Sequence, residues 1–326
     1  MKRQNNFGNT PFGFAFSKPL EWGKEMRYAI GIDIGGTKIA SGIVNEHGDL
    51  IQKEVVRSDT SDKEQMFSQV ITCVQTLMNH SSIPLSDIFG IGAGIPGKVD
   101  RENGIAVFQN NLPWRDFPFT KRISEALGVN RIVIDNDVDM AAFAEWKKAE
   151  LTETDLFTYI TISTGIACSI IQGGEIIRGA GFAGELGLIP ITLKNKGTYM
   201  ERLESIASGP AIAKRGQDLF KDSYITSADV LSAYHKGDAQ AEIIIQDLVS
   251  SLTQGLYVIT SLLDPHKIVF GGSVAVHNPQ LLQLVKEELA CYLLKEQLHI
   301  LDHMEFSHFN HDQGILGSGL KVFNSN

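Results

Sequence analysis

Several stretches of this 326-residue chain carry the residue types that phosphate and hydroxyl chemistry needs. In Asp33-Ile34-Gly35-Gly36-Thr37-Lys38, the glycines permit a tight turn with backbone N–H groups pointing at phosphate oxygens, and Asp33 can hold a magnesium-bound water. Ser163-Thr164-Gly165 offers hydroxyls and a glycine at a second turn, so two facing turns could clamp a triphosphate from both sides. Asp135, Asn136, Asp137 and Asp139 follow the apolar RIVI and precede the helical AAFAEWKKAE. Acids at the C-terminal end of a buried strand stand where α/β sheets present ligands. Phosphoryl transfer asks for in-line positioning, charge neutralisation and a proton acceptor, and a carboxylate such as Asp137 suffices for the last role. Glu185 in GFAGELG and Glu204 in LESIASG are further acids, each able to accept from two hydroxyls.

Other patterns are decoys. Gly92 to Lys98 has Walker A spacing, and Gly92, Gly94 and Gly97 fit G-x-G-x-x-G. Val99 stands where the Walker motif needs Ser or Thr, and KVDRENG reads as a polar turn where both motifs need a helix. Asp135-x-Asp137-x-Asp139 begins like a calcium loop but has Met140 and Trp146 at the glycine and glutamate positions. Capping of the following helix by Asp137 or Asp139 remains compatible with a catalytic role. For Glu204 the plain alternative is first-turn dipole compensation, and for Glu185 a solvated loop acid. Trp114 either packs beside a ligand or anchors a buried loop.

The elements that must position these residues repeat. YAIGID, IGGTK, IASGIV, NEHGD and LIQKEVV read as strand, turn, strand, hairpin and strand. FTYITI, STG, IACSII, QGGE and IIRG repeat that grammar about 130 residues later, which predicts a duplicated two-lobed α/β architecture. Residues 62–79 place Met66, Val70, Ile71, Val74 and Leu77 on one helical face. GIGAGI, RIVID and KIVFGG read as strands, and 204–217, 240–263, 278–296 and 313–324 as helices. The expected division is an extension over 1–25, a first lobe over 26–137, a second over 138–310, and a helix at about 311–326 that returns to the first lobe.

Composition bounds the function. Hydrophobic residues at 43% and charged residues at 21% describe a compact chain, and a formal charge of −9 argues against a polyanion-binding surface. Cys73, Cys168 and Cys291 are too dispersed for a disulfide framework or cysteine-rich zinc site, and read as reduced cytoplasmic thiols. No apolar run approaches the ~20 residues of a membrane span. His308 and His311 lack an acid or thiol partner for a metal.

The ordered motifs DIGGTK, GIGAGIPGKVD, NNLPW, IDNDVDMAAFAE, TISTG, GAGFAGELG, LESIASG, LDPHKIVFGGSV and HDQGILGSGL resemble the ROK family of sugar kinases and sugar-responsive repressors, over roughly residues 27–322. The resemblance implies the actin/hexokinase-like (ribonuclease H-like) ATPase fold with duplicated βββαβα units. It implies that Asp33, Gly35, Gly36, Thr37, Lys38, Thr164 and Gly165 hold ATP phosphates, that Asp33 serves Mg²⁺ through water, and that Gly271, Gly272 and Gly314 border the adenosine. Gly97, Asn110 or Asn111, Asn136, Asp137, Glu185 and Glu204 would surround a hexose, with Asp137 as general base. The implied reaction is ATP-dependent phosphorylation of the 6-hydroxyl of glucose or of N-acetylmannosamine. TISTG, LESIASG, FGGSV and HDQG are similar to N-acetylmannosamine kinases, while NNLPW is nearer the glucokinase-like members.

The chain departs from the family where a CxCGxxGC loop and the histidine of ExGH make a zinc site. It reads LKNKGTYMERLE and Leu188 there, so no zinc is expected and a histidine contact to sugar is missing. Ala167-Cys168-Ser169 replaces glycines common after the second phosphate turn. The rivals are a sugar-sensing regulator, for which residues 1–25 are too short to form a winged helix, and a degenerate sugar-binding protein. No nucleic-acid or membrane partner is expected, and a homodimer is implied by resemblance alone.

Overall fold

The computed structural model describes residues 26–109, 111–193 and 200–325. The expected extension over 1–25, Asn110 and much of the LKNKGTYMERLE segment lie outside the described residues. β1 (Tyr28–Ile34), β2 (Lys38–Asn45) and β3 (Leu50–Arg57) form an antiparallel meander. Asn45 closes the β2–β3 turn, its side-chain oxygen accepting from the His47 and Asp49 amides. α1 (Lys63–His80) starts where the Asp62 carboxylate accepts from the Glu64 and Gln65 amides. It buries Met66, Val70, Val74 and Leu77 as the spacing predicts, with Ile71 half-buried at the rim.

β4 (Ile88–Ile95) leads into a three-stranded flap of β5 (Lys98–Asp100), β6 (Ile105–Phe108) and β7 (Arg115–Phe117). The KVDRENG segment thus opens with a short strand paired to β6 before it turns, contrary to the all-turn reading. α2 (Phe119–Leu127) precedes β8 (Ile132–Asn136), which runs straight into α3 (Asp137–Lys148). The first sheet has the order β3-β2-β1-β4-β8, with β1, β4 and β8 parallel.

The second lobe repeats this plan with β9 (Leu156–Ile162), β10 (Ile166–Gln172) and β11 (Glu175–Ile176). The expected third strand, IIRG, is only two residues long, because Arg178 leaves the ladder for an ion pair with the first lobe and Gly179 turns at φ +53°. Next come β12 (Pro190–Thr192), β13 (Met200–Arg202), α4 (Glu204–Ala207), α5 (Gly209–Phe220), α6 (Ser227–His235) and α7 (Ala239–Leu263). β14 (Lys267–Gly271), α8 (Ser273–Val276), α9 (Pro279–Ala290), β15 (Met304–Phe306) and α10 (Gln313–Asn324) complete the chain. The second sheet is ordered β11-β10-β9-β14-β15. The helix expected over 204–217 breaks at Ser208, whose hydroxyl caps α5. That expected over 278–296 ends at Ala290 and resumes only as 3₁₀ turns over Lys295–His303.

α7 is 25 residues long with a mean hydropathy of 1.3 over its most apolar window, so one helix does meet the length and composition of a membrane span. Ile244, Leu248, Leu252, Leu256 and Ile259 help bury 61% of that window in the second lobe's core. α10 crosses back to the first sheet. The Ser318 hydroxyl donates to the Ile32 carbonyl at 3.1 Å, and Ile315, Leu316 and Leu320 pack with Ala40, Val44 and Phe143. Close approach requires glycine beneath the helix: a Cβ on Gly31 would sit 1.9 Å from the Ile315 carbonyl oxygen, and one on Gly92 1.9 Å from that of Ser318.

Candidate active site

Two adjoining cavities lie between the lobes, of about 500 Å³ and 760 Å³, and share Val138, Ala167 and Glu185 as common wall. The smaller is lined by both phosphate-type turns. At the first, the Gly35 amide donates to the Lys38 carbonyl at 2.9 Å and Ser58 Oγ to the Gly35 carbonyl at 2.6 Å, which braces the turn. Asp33, Thr37 and Lys38 face the cavity, while Gly35 and Gly36 shape the turn outside its lining. At the second, the Ser163 amide donates to the Gly165 carbonyl at 2.9 Å, and Ser163, Thr164 and Gly165 line the cavity opposite Asp33. Gly272, Ser273 and Gly314 border the same space. A Cβ on Gly314 would lie 2.7 Å from Asp33 Cγ, so only glycine leaves that carboxylate its place. Gly271 is outside the lining and packs beneath the Tyr159 hydroxyl.

Asp137 is the first residue of α3 and lines the smaller cavity, while Asn136 just before it lines the larger. Burial, then the facing Asp33 carboxylate, pushes Asp137 up to about 7, and burial raises Asp33 against the pull of Lys38 and Lys53. The helix cap is neither Asp137 nor Asp139. Asn136 accepts from the Val138 and Asp139 amides and donates from Nδ2 to the Gly97 carbonyl at 3.0 Å, which leaves one N–H for a ligand. Gly97 lines the larger cavity at φ +85°, where a Cβ would strike the Phe108 carbonyl at 2.4 Å.

The structure separates some residues that the sequence grouped. Glu185 reaches both cavities, but Glu204 lines only the smaller one. Its carboxylate accepts from the Ile166 amide at 2.8 Å and would meet a Cβ on Gly165 at 2.7 Å, so it buttresses the second turn. Burial and the nearby Glu204 raise Glu185. Asn111 stands against Gly36 at the first turn and lines neither cavity. Leu188 is 49% exposed and in neither cavity wall. Trp114 is the loop anchor: it is buried, donates to the Lys63 carbonyl at 3.0 Å and stacks on Phe117.

Three features escaped the sequence reading. Asp135 is 3% exposed and paired with Arg178 from the other lobe and, at 3.5 Å, with Arg101. The same Arg178 lies 3.6 Å from Asp139, which also accepts from Ser169 Oγ at 2.6 Å, so one guanidinium reaches both acids flanking Asp137. The sequence signal was a lone arginine after β11 and a serine in place of glycine, too slight to pair at that separation. His311, at φ +72° and edge-on to His277 at 5.4 Å, lines the smaller cavity beside Gly272, and burial pushes its pKa down.

The ROK family model matches residues 29–322. Over 317 residues the chain is 28% identical to a glucokinase of Halalkalibacterium halodurans, covering 91% of this chain and 95% of that one. It is 25% identical to a xylose repressor of Bacillus subtilis over 83% of this chain and 71% of the repressor. The crystal structure of a ROK hexokinase from Thermus thermophilus superimposes with a TM-score of 0.76 at 26% identity, covering 91% of this chain and 98% of that chain. With two lobes of the same strand order, a cleft between them and a match over nearly the whole described chain, this protein belongs to the ROK family and has its actin-like ATPase fold.

Proposed function

We propose that this protein is an ATP- and Mg²⁺-dependent sugar kinase that phosphorylates the 6-hydroxyl of a hexose, glucose first and N-acetylmannosamine second. The observation that carries the reading is the position of Asp137, at the edge of the cavity holding both phosphate-type turns and one residue from the wall of the cavity holding Asn136, Gly97 and Glu185. A hydroxyl presented from the larger cavity meets a carboxylate before it meets the phosphate side. Asp137 accepts the hydroxyl proton as the oxygen attacks, Thr37, Lys38, Thr164 and Gly165 hold the phosphates, and Gly272 and Gly314 border the nucleoside. Closure of the lobes on the ligands excludes water.

Mg²⁺ is ordinarily held by one or two carboxylates together with substrate phosphates. Asp33 fits that demand, being a partly buried carboxylate beside a glycine that leaves room before it. Bound there, Mg²⁺ would neutralise phosphate charge. Among the described residues no group of three His, Cys, Asp or Glu side chains could hold a metal by itself. The similarity to xylose repressors supports a second reading, a regulator that binds sugar in the same cleft without turnover. A coupled ADP-release assay with Mg-ATP against glucose, mannose, N-acetylglucosamine and N-acetylmannosamine, with Asp137→Asn alongside, separates the two. Turnover lost in the variant supports the kinase, whereas sugar binding without turnover supports the regulator.

A further inference from the structure

Asp137 stands at a junction that has no loop: β8 ends at Asn136 and α3 begins with Asp137 itself. The direction of its carboxylate therefore depends on the angle at which the strand hands over to the helix. Two more acids flank that junction and line the larger cavity, Asp135 on the strand and Asp139 in the first turn of the helix. Three carboxylates at alternate positions of one short segment repel one another, and the more so where water is excluded. One guanidinium serves the outer two. Arg178 donates from Nη2 to Asp135 and has its Nε 3.6 Å from Asp139, while its Nη1 donates to the Ile176 carbonyl at 3.1 Å. Arg101 reaches Asp135 alone, at 3.5 Å and from a more exposed position. Asp135 passes the hold on, because its Oδ1 accepts from the Asn136 amide at 2.9 Å, and Asn136 in turn caps α3 and donates to Gly97.

The same arginine is the root of the loop that brings Glu185 to the cleft. Its carbonyl accepts from the Gly181 and Ala183 amides at 2.8 and 3.3 Å, and the far end of the loop is tied to β10, where the Cys168 amide donates to the Gly184 carbonyl at 2.7 Å. The next residue of β10, Ser169, is the one that donates to Asp139. We propose, resting on the kinase reading above, that Arg178 is a positioning residue for phosphoryl transfer: through Asp135 and Asp139 it fixes the β8–α3 junction at the angle that aims the Asp137 carboxylate at a hydroxyl held against Asn136 and Glu185. It acts through the two acids rather than on the sugar, since Nε is buried beside Asp139 and the other two nitrogens are engaged by Asp135 and Ile176. Lysine cannot replace it, because an ammonium is a point charge and lacks the planar fork that faces a strand acid and a helix acid at once.

The test measures kcat in the ADP-release assay and sugar affinity by titration calorimetry, below the melting transition of every variant. The variants are Arg178→Lys, Arg178→Ala with and without millimolar guanidinium chloride, and Arg215→Met, which breaks the ion pair with Asp247 between α5 and α7, outside both cavity walls. Arg178→Lys should lower kcat by about 10²-fold, as misplacement of reacting groups by roughly 1 Å does, with the sugar dissociation constant within about threefold of the parent's. Guanidinium should raise the kcat of Arg178→Ala by about tenfold, whereas Arg215→Met should melt earlier with kcat unchanged. Should Arg178→Ala not fold, Arg178→Lys decides alone. A kcat in Arg178→Lys close to the parent's, or one that falls only in step with sugar affinity, overturns the inference and leaves the kinase reading standing, as does an equal loss of kcat in Arg215→Met. No sugar-dependent turnover in the parent removes both.

Discussion

Replacing Asp137 with asparagine keeps the size of the side chain and removes its charge, which makes function and stability move in opposite directions. The folded protein holds the Asp137 proton up to about pH 7, for reasons of burial first and the Asp33 carboxylate second. An unfolded aspartate releases it at about 3.9. Between those values the folded state binds more protons than the unfolded state, so this residue lowers stability as pH rises from about 4 to 7, and the full cost is present above 7. A displacement from 3.8 to about 7 corresponds to at most about 4 kcal/mol. The neutral amide of Asp137→Asn avoids that cost. Melting temperature should therefore rise relative to the parent by up to ~8 °C at pH 8, taking about 2 °C per kcal/mol for a chain of this size, and by almost nothing near pH 4. In the same preparations, sugar-dependent ADP release should fall by about 10²–10⁴-fold, the usual contribution of a general base. For the parent, kcat/KM should climb with pH and level off above about 7 as the free enzyme's Asp137 ionises. Differential scanning fluorimetry from pH 4 to 8.5 and the coupled assay supply both readings. A melting difference that does not depend on pH, or activity within tenfold of the parent, would refute the reasoning.

Other sites give sharper structural tests. Arg178→Met leaves the buried Asp135 with the Asn136 amide and the more distant Arg101, and should cost about 3 kcal/mol in urea titrations; Arg178→Lys recovers part of it, since an ammonium cannot bridge two carboxylates as a guanidinium does. Gly92→Ala drives a Cβ into the Ser318 carbonyl and should destabilise by about 3 kcal/mol in the same titration, because α10 must lift off the sheet. Gly314→Ala displaces the Asp33 carboxylate from within the cleft, and should raise the KM for Mg-ATP by roughly tenfold or more with the urea midpoint little changed.

Local grammar carried much of the architecture into the sequence. The DIGGTK and STG turns are short-range objects, each a glycine turn between two apolar strands, so Asp33, Thr37, Thr164 and Gly165 could be placed together before any fold was known. Asp137 was legible for the same reason, at a strand end followed by a helix. Glu204 could be named among the site acids, but its hold on the second turn could not, because the amide it accepts from lies 38 residues away in another element. Arg178 was hidden by distance as well, since its partners Asp135 and Asp139 lie about 40 residues earlier in other elements and an arginine before Gly179 reads like any solvated loop charge. The alternative that Asp137 or Asp139 caps α3 falls to Asn136, whose extended backbone is the one a cap requires. Gly31 and Gly92 looked like strand residues with no side chain to pack, and only the arrival of α10 from the far end of the sequence shows why nothing larger fits.

That late arrival sets the order of events in the cell. β1 to β4 are complete by residue 95, yet the face that α10 covers stays bare until residues 313–324 have been made. At ~5–20 residues per second, synthesis leaves Gly31, Gly92 and the apolar side chains around them uncovered for roughly 10–45 s. The second lobe, whose core is drawn from residues 160–304, does not wait on so distant a segment and can condense first. The earliest strands to emerge are then among the last to be sealed, which makes the nascent first sheet the natural point of chaperone contact and the place where truncated or stalled chains aggregate.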